Sequence, residues 1–503
     1  MSVKLNVVAN YIGQAYQTFL GIVVTPLYLG YLGVEAYGLV GIFALMQAWM
    51  SLLDLGLSPT LGRQAAYARG IDGGFKNFKL LLKSFEVIFF VLALFIALIV
   101  YFLSDWLSQN WIKAVALDVQ LISYCIVLMG FMVGLRWISS LYRSGINGLE
   151  DQIWLNLANI LMASLRFIGA LVLLVFFTKD VRHFFEYQLV VSVIELFIFS
   201  TRLYYKIPVE GGCTPVIAFN WPVVRSISPF ALGIAYTTGV WILITQSDKL
   251  ILSGILTLSE FGYFSMVALI SGGVTILSAP ISQAIMPRLT VYFSQNKKNE
   301  LLKLYSKSSQ FVTVISLSTS LMIGIYAEPL IYAWSGSLDG AAWGGEILLW
   351  FALGNGVLSV SAFQYYLQNA FGDLRLHIVG STLSALIQVP LIFYAATYFG
   401  AKGAAIAWFS FRLIWFLFWF PIVHAKFIPG FHMNWLLKDI MPIVLCTTFF
   451  ALIFGNFIVL DLGENRFILL IKMICIGMVI FMLSAMSSKE IRCEIATRLK
   501  AIK

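Results

Sequence analysis

The stretch VIFFVLALFIALIVYFL, residues 87–103, contains no charge, no proline and no glycine. As a helix it rises about 25 Å, close to the thickness of a bilayer's hydrocarbon core, which takes about 20 residues to cross. A second stretch, LLIKMICIGMVIFML at 469–483, carries Lys472 as its one charge. Around these two runs the rest of the chain has the same character. Sixty per cent of its 503 residues are hydrophobic and 11% are charged. Soluble domains carry about 45–50% apolar and about 25% charged residues. So little charge cannot solvate one or more water-facing domains of this length, and the sequence reads as an all-α polytopic membrane protein.

The net charge of +9 does not point to nucleic acid. No basic run is longer than Lys297-Lys298, and no basic face is interleaved with stacking aromatics. Cys125, Cys213, Cys446, Cys475 and Cys493 show neither metal nor redox spacing. The residues near Lys4 open a first span and not a cleaved leader, because the apolar stretch continues through Gln14 and Gln17 to Leu29.

Fourteen spans are expected, at 5–29, 35–58, 79–103, 115–140, 152–177, 183–204, 224–254, 258–285, 304–332, 343–369, 376–399, 401–425, 436–460 and 465–486. The loop charges support this count. With both termini in the cytoplasm, that side holds most of the basic residues, including Arg63, Arg69, Arg143, Arg202, Arg288, Lys297, Lys298 and the tail from Lys489 to Lys503. The opposite side holds Lys113, Lys179, Arg182, Lys402 and Arg466. Positive charge stays inside, and one missed span would scramble that bias.

An internal repeat shows at one offset. EAYG at 35–38 matches SEFG at 259–262, and YRSGING at 142–148 matches YLQNAFG at 366–372; both pairs are 224 residues apart. Arg63 and Arg288 are 225 apart. Duplication of a six-span unit keeps both copies in one orientation, related by an axis along the membrane normal. The expected organisation is a bundle at 1–205, a cytoplasmic linker at 206–223 rich in Pro and Gly, a second bundle at 224–425, two further helices at 426–486, and a basic tail at 487–503.

Ionisable groups at membrane depth are functional candidates, since each costs several kcal/mol unless it faces protein or water. The set is Asp54, Glu86, Arg136, Arg166, Glu195, Asp248, Lys249, Arg412 and Lys472. Arg166 and Glu195 lie mid-span on consecutive helices, either as a charged cavity site or as a pair that neutralises itself. Arg412 has no acid in its own span and is expected in a water-filled cavity. Asp248 and Lys249 point about 100° apart on their helix, so one of them can face the cavity. Asp54 and Arg136 sit near cytoplasmic ends, reaching headgroup water or lining a cavity mouth. Glu86 is expected to pair with Lys83 or Lys79, and Lys472 to snorkel outward. With Arg63 the set leans basic, which favours an anionic cargo. Arginine suits a diphosphate because its planar fork grips phosphate oxygens in pairs. Trp408, Trp415 and Trp419 suit sugar stacking but are more often packing or lipid-facing rings. No phosphate loop, zinc site, dinucleotide fingerprint or nucleophile elbow appears, and His183, His377, His424 and His432 have no ligand spacing.

Five segments together resemble a known family: LDLGLSPTLGR at 53–63, QSDKLILS at 246–253 followed by LSEFGYF at 258–264, and MPR at 286–288 followed by LLKLY at 301–305. They are similar to the O-antigen or capsule repeat-unit flippases, within the multidrug/oligosaccharidyl-lipid/polysaccharide exporter superfamily. The resemblance implies two pseudo-symmetric six-helix bundles around a central cavity, alternating access, and no catalysis, cofactor or metal. It implies a cargo of short oligosaccharide on undecaprenyl diphosphate, moved from the cytoplasmic to the periplasmic leaflet of a bacterial inner membrane. Coupling to an inward proton or sodium gradient, contact with membrane lipids, and work alongside a polysaccharide polymerase and a chain-length regulator are further implications. By position, Arg63, Asp248 and Lys249 stand where the family motifs put charge. The candidate substrate-binding residues are thus Arg63, Arg136, Arg166, Lys249 and Arg412, and the ion-coupling candidates are Asp54, Glu195 and Asp248. Spans 13 and 14 depart from the twelve that many members have. Peptidoglycan-precursor flippases of the superfamily often have fourteen, so that cargo stays open, as does drug export. A membrane polymerase or ligase is a further class, but the outer loops are too short to carry its catalytic groups.

Overall fold

The computed structural model describes residues 3–71, 74–208 and 219–492. Gly211, Gly212 and Pro215 of the expected linker, Cys213, Cys493 and most of the basic tail lie outside the described residues. The described residues are mostly helical: α1 (Val3–Leu32), α2 (Val34–Met50), α3 (Leu57–Arg69), α4 (Gly74–Trp106), α5 (Val119–Gly148), α6 (Gln152–Ser164), α7 (Ala170–Phe176), α8 (Val181–Lys206), α9 (Trp221–Ile255), α10 (Leu258–Ser294), α11 (Lys298–Ile325), α12 (Ala327–Ser335), α13 (Leu338–Phe371), α14 (Arg375–Phe427), α15 (His432–Asn434), α16 (Met441–Phe457) and α17 (Arg466–Ser487).

Among the described residues, twelve helical segments are long and apolar enough to cross a membrane. One of them, α14, has 53 residues and is broken at Gly400, where φ is 62° and ψ −154°. That conformation is essentially restricted to glycine. The chain then folds back so tightly that a Cβ at Gly403 would lie 2.6 Å from the Ala395 carbonyl oxygen. The two arms of α14 are the eleventh and twelfth expected spans. With the 30-residue α1 the fourteen expected rods are all present.

The helices bury one face and expose an apolar opposite face. On α4, Phe78, Leu82, Phe85, Phe89, Ala93, Ile96 and Val100 are buried, while Phe90, Leu94, Leu98 and Phe102 are exposed. A soluble protein does not expose such a continuous apolar strip; a bilayer-embedded one does. The buried face meets glycines of α5: a Cβ at Gly130 would stand 2.8 Å from Val100, and one at Gly134 3.3 Å from Ala93. Small residues let helices approach closely where apolar burial supplies little drive.

By packing, the chain divides into two compact units, Met1–Gly262 and Tyr263–Lys503. In the first, α2 continues as a short 3₁₀ turn, Ser51–Asp54, and then reverses through Leu55 (φ 48°) and Gly56 (φ 70°). The second span, expected to run to residue 58, therefore ends at Asp54. The following α3 is a separate helix, with Leu57, Leu61, Ala65 and Ala68 buried and Arg63, Tyr67 and Arg69 outward. Gly56 is needed here for its left-handed backbone and because it lies against the Ala231 carbonyl of α9.

Two repeat positions meet in this unit. Gly38 lies against the backbone of Leu258, and a Cβ at Gly262 would lie 2.6 Å from the Val34 carbonyl oxygen. Val34 and Leu258 are themselves 224 residues apart, as are Gly38 and Gly262, so the contact is self-complementary under the repeat shift. Beside it, buried Glu35 accepts hydrogen bonds from the amides of Val115 (2.8 Å), Ala116 (2.9 Å) and Leu117 (2.9 Å).

In the second unit, α16 and α17 pack on α11 and α12 through Leu321, Tyr326, Ala451, Leu469, Met473, Ile476 and Ile480. Both ends of this pair are pinned. Arg466 donates to the carbonyls of Ala333 (3.1 Å) and Trp334 (2.9 Å). At the other end Asp439 accepts from Gln310 (2.9 Å) and from Ser306, and Ser488 donates to Gln310 (2.6 Å).

Candidate functional site

Gln188, Ser192 and Glu195 are spaced by four and three residues on α8, so they form one polar stripe along the apolar middle of the helix. The stripe gathers three arginines. Arg143 and Arg166 each form an ion pair with one oxygen of Glu195, whose side chain is 0% exposed. Arg136 donates from Nε to Ser192 (3.0 Å) and from Nη2 to Gln188 (3.0 Å), with its guanidinium 4.8 Å from the centre of the Phe43 ring. Arg136 and Arg143 come together because they are two helical turns apart on α5. Arginine keeps its charge in proteins. Three guanidinia against one carboxylate therefore leave this cluster with a formal excess of two positive charges.

Arg166 reaches Glu195 from an irregular turn. Leu165–Gly169 is a π turn between α6 and α7. Such a turn frees carbonyls from the helical ladder and is common at functional sites. Side chains donate to three carbonyls of this turn. Tyr28 donates to the carbonyls of Arg166 (3.1 Å) and Phe167 (2.9 Å), Tyr187 to Leu165 (2.9 Å), and Gln188 to Arg166 (2.8 Å). Gln188 thus links the π turn to Arg136.

Arg136 also lines a cavity of about 410 Å³, within the range of small-ligand pockets. Asp54, Ser58, Ser140, Ser144, Gln47, Thr238 and Trp137 share its wall. Asp54 accepts from the Ser58 amide (3.3 Å) and hydroxyl, which caps the start of α3. No ion pair joins Asp54 to Arg136 among the described residues. Among the described residues the hydrogen bonds of Arg136 run from Nε and Nη2, and its side chain lines this cavity. The site therefore brings a guanidinium, a separate carboxylate and several hydroxyls to one cavity.

The other sequence candidates are dispersed. Arg63 is exposed on α3, its guanidinium 4.4 Å above the Phe230 ring. Lys249 donates to Gln246 (2.8 Å), one turn back on α9, and Asp248 is buried beside it. Arg412 belongs to the second unit, buried with its guanidinium 4.4 Å above the Trp408 ring. Trp415 stacks between Phe411 and Trp419. Glu86 pairs with Lys83 (3.0 Å), and Lys472 with Glu464 (2.6 Å). No group of three or more metal-ligating side chains occurs among the described residues.

Sequence reading overlooked Arg143, Gln188 and Ser192. It ended the fourth span at residue 140, whereas α5 runs to Gly148 and carries Arg143 within the helix. The seven-residue spacing from Arg136 was the available signal. Gln188 and Ser192 gave none beyond their register with Glu195.

No curated protein sequence matches the chain. Solved structures do, at identities that speak to fold alone. A lipid II flippase, MurJ, in an inward closed conformation superposes with a TM-score of 0.71 at 14% identity, covering 96% of this chain and 98% of that one. An inward-facing multidrug resistance transporter of the MATE family gives 0.61 at 14% identity, over 81% of this chain and 95% of that one. A transporter of the same MOP superfamily from Pyrococcus furiosus, with a binding pocket of reverse polarity, gives 0.52 at 14%, over 83% and 94%. The fold is therefore that of multi-pass membrane transporters. The family model described as polysaccharide biosynthesis protein matches residues 3–293, more than half of the chain and all of the part that holds the cluster and its cavity, and the chain belongs to that family.

Proposed function

We propose that this protein is a flippase that moves undecaprenyl-diphosphate-linked oligosaccharide repeat units, of O-antigen or a similar surface polysaccharide, from the cytoplasmic to the periplasmic leaflet of a bacterial inner membrane. The observation that carries this reading is Arg136: a guanidinium held by neutral partners and lining a cavity, in a cluster whose three arginines and one carboxylate leave a formal excess of two positive charges. A diphosphate diester is a matching dianion. Arg136 meets it with parallel N–H donors, and Arg143 and Arg166 raise the local potential without touching it. Drug exporters that take cations would need the opposite sign. Both termini lie in the cytoplasm in this reading, transport is coupled to a proton or sodium ion with Asp54, Glu195 and Asp248 as candidate carriers, and a polymerase and chain-length regulator act on the delivered units.

A strain lacking the protein should accumulate undecaprenyl-diphosphate oligosaccharide and lose the matching surface glycan. Re-expressed Arg136→Ala should reach the membrane at normal abundance yet restore less than a tenth of that glycan. Normal export by this variant would remove Arg136 from the site. Transport of a peptidoglycan precursor is the second reading, favoured by the likeness to a lipid II flippase along 96% of the chain. Intact surface glycan with accumulated peptidoglycan precursor in the deletion strain would select it.

A further inference from the structure

Asp54 and Arg136 share one cavity without pairing, and each is held by neutral groups. We propose that the Asp54 side of this cavity is a separate subsite that reads the hydroxyl and amide groups of the sugar attached to the diphosphate, while Arg136 takes the phosphate. This inference rests on the flippase reading and assigns an orientation to the cargo.

The chemistry of the two sides differs. An ionised carboxylate only accepts hydrogen bonds, with about four lone-pair positions on two oxygens. Ser58 occupies one position on each oxygen of Asp54, through its amide and its hydroxyl. The remaining positions suit neutral donors. A phosphate has none to offer and is repelled by the charge, so the diphosphate is driven to the Arg136 side. Sugar hydroxyls and an acetamido N–H are neutral donors that a carboxylate accepts with no such conflict.

The surroundings fit a sugar better than a second charge. The Ser140 hydroxyl lies 3.2 Å from that of Ser58, and Thr238 adds another hydroxyl to the wall. Trp137 is buried and stacked on Phe89 at 4.4 Å between centroids, which fixes it as a rigid surface whose indole N–H faces Asp54 and takes part of that carboxylate's accepting capacity. The cavity, about 410 Å³, is at the small end of ligand pockets. It can read only the part of an oligosaccharide next to the lipid phosphate.

The reading is tested by native mass spectrometry or fluorescence titration of the purified full chain in detergent. Two probes are used: undecaprenyl diphosphate, and undecaprenyl diphosphate bearing one N-acetylglucosamine. The wild type should bind the sugar-bearing probe at least tenfold more tightly. Asp54→Asn, which still caps α3, should lose most of that preference and, with the repelling charge gone, bind the bare diphosphate at least as tightly as the wild type. Arg136→Ala should weaken both probes at least tenfold. Ser58→Ala keeps the carboxylate, loosens the cap, and should retain the preference. Equal weakening of both probes by Asp54→Asn, or loss of preference in Ser58→Ala, would reduce Asp54 to a helix cap and overturn the inference. Wild-type binding of both probes alike would also overturn it and leave the flippase reading standing. Failure of the wild type to bind either probe would sink both.

Discussion

Replacing Glu195 by glutamine should destabilise the protein by about 3 kcal/mol. The carboxylate is 0% exposed and each oxygen faces one guanidinium. Removing the anion leaves two like charges packed against a neutral amide. Breaking a buried ion pair from one side typically costs about 3–5 kcal/mol. The Arg143 and Arg166 side chains keep 32% and 22% of their exposure, so water relieves part of the penalty and selects the lower end. At about 1.4 kcal/mol per tenfold, the folded-to-unfolded ratio should fall by roughly 100-fold. Purified wild type and Glu195→Gln are compared by denaturant titration in mixed micelles. The triple variant Glu195→Gln, Arg143→Gln, Arg166→Gln should recover at least half of the loss, because it removes the uncompensated charges themselves. A single variant within about 0.5 kcal/mol of wild type, the range of ordinary surface changes, would refute the reasoning. So would a triple variant no better than the single one.

Other positions carry further expectations. Gly400→Ala forces a side chain into a glycine-only conformation and should cost about 1–3 kcal/mol, read as a lower thermal midpoint; an unchanged midpoint would mean that the α14 reversal does not depend on glycine. Arg466→Ala removes two charge-assisted bonds to the end of α12, each worth about 1.5–3 kcal/mol when well buried and less at this partly exposed site. Faster backbone hydrogen exchange is expected across residues 458–468, with α4 and α5 unaffected, and unchanged exchange there would show that the apolar packing of α17 suffices. Arg136→Lys keeps the charge but loses the fork, so surface glycan should fall between wild type and Arg136→Ala; full activity would mean that charge alone is read.

The sequence by itself determined the solvent and the number of rods. Runs such as 87–103 have no stable alternative to a helix in a bilayer, because every backbone group must be satisfied within its own segment. The 224-residue offset was also legible, since EAYG and SEFG are local strings. What the local pattern could not place was everything that depends on where a helix ends or which face meets which neighbour. Asp54 read as lying near the end of a span, either in headgroup water or at a cavity mouth, and the reversal at Leu55 and Gly56 makes it a cap on the wall of a cavity. Arg143 read as a loop charge until α5 continued to Gly148 and turned it toward Glu195. Arg166 and Glu195 stood equally as a cavity site or a closed pair, and a π turn held by Tyr28, Tyr187 and Gln188 settled their contact. Hydrophobic length is a property of consecutive residues, so it is written in the chain. The partner of a buried charge is a property of three dimensions, chosen by packing between helices far apart in sequence, and the tertiary structure alone decides it.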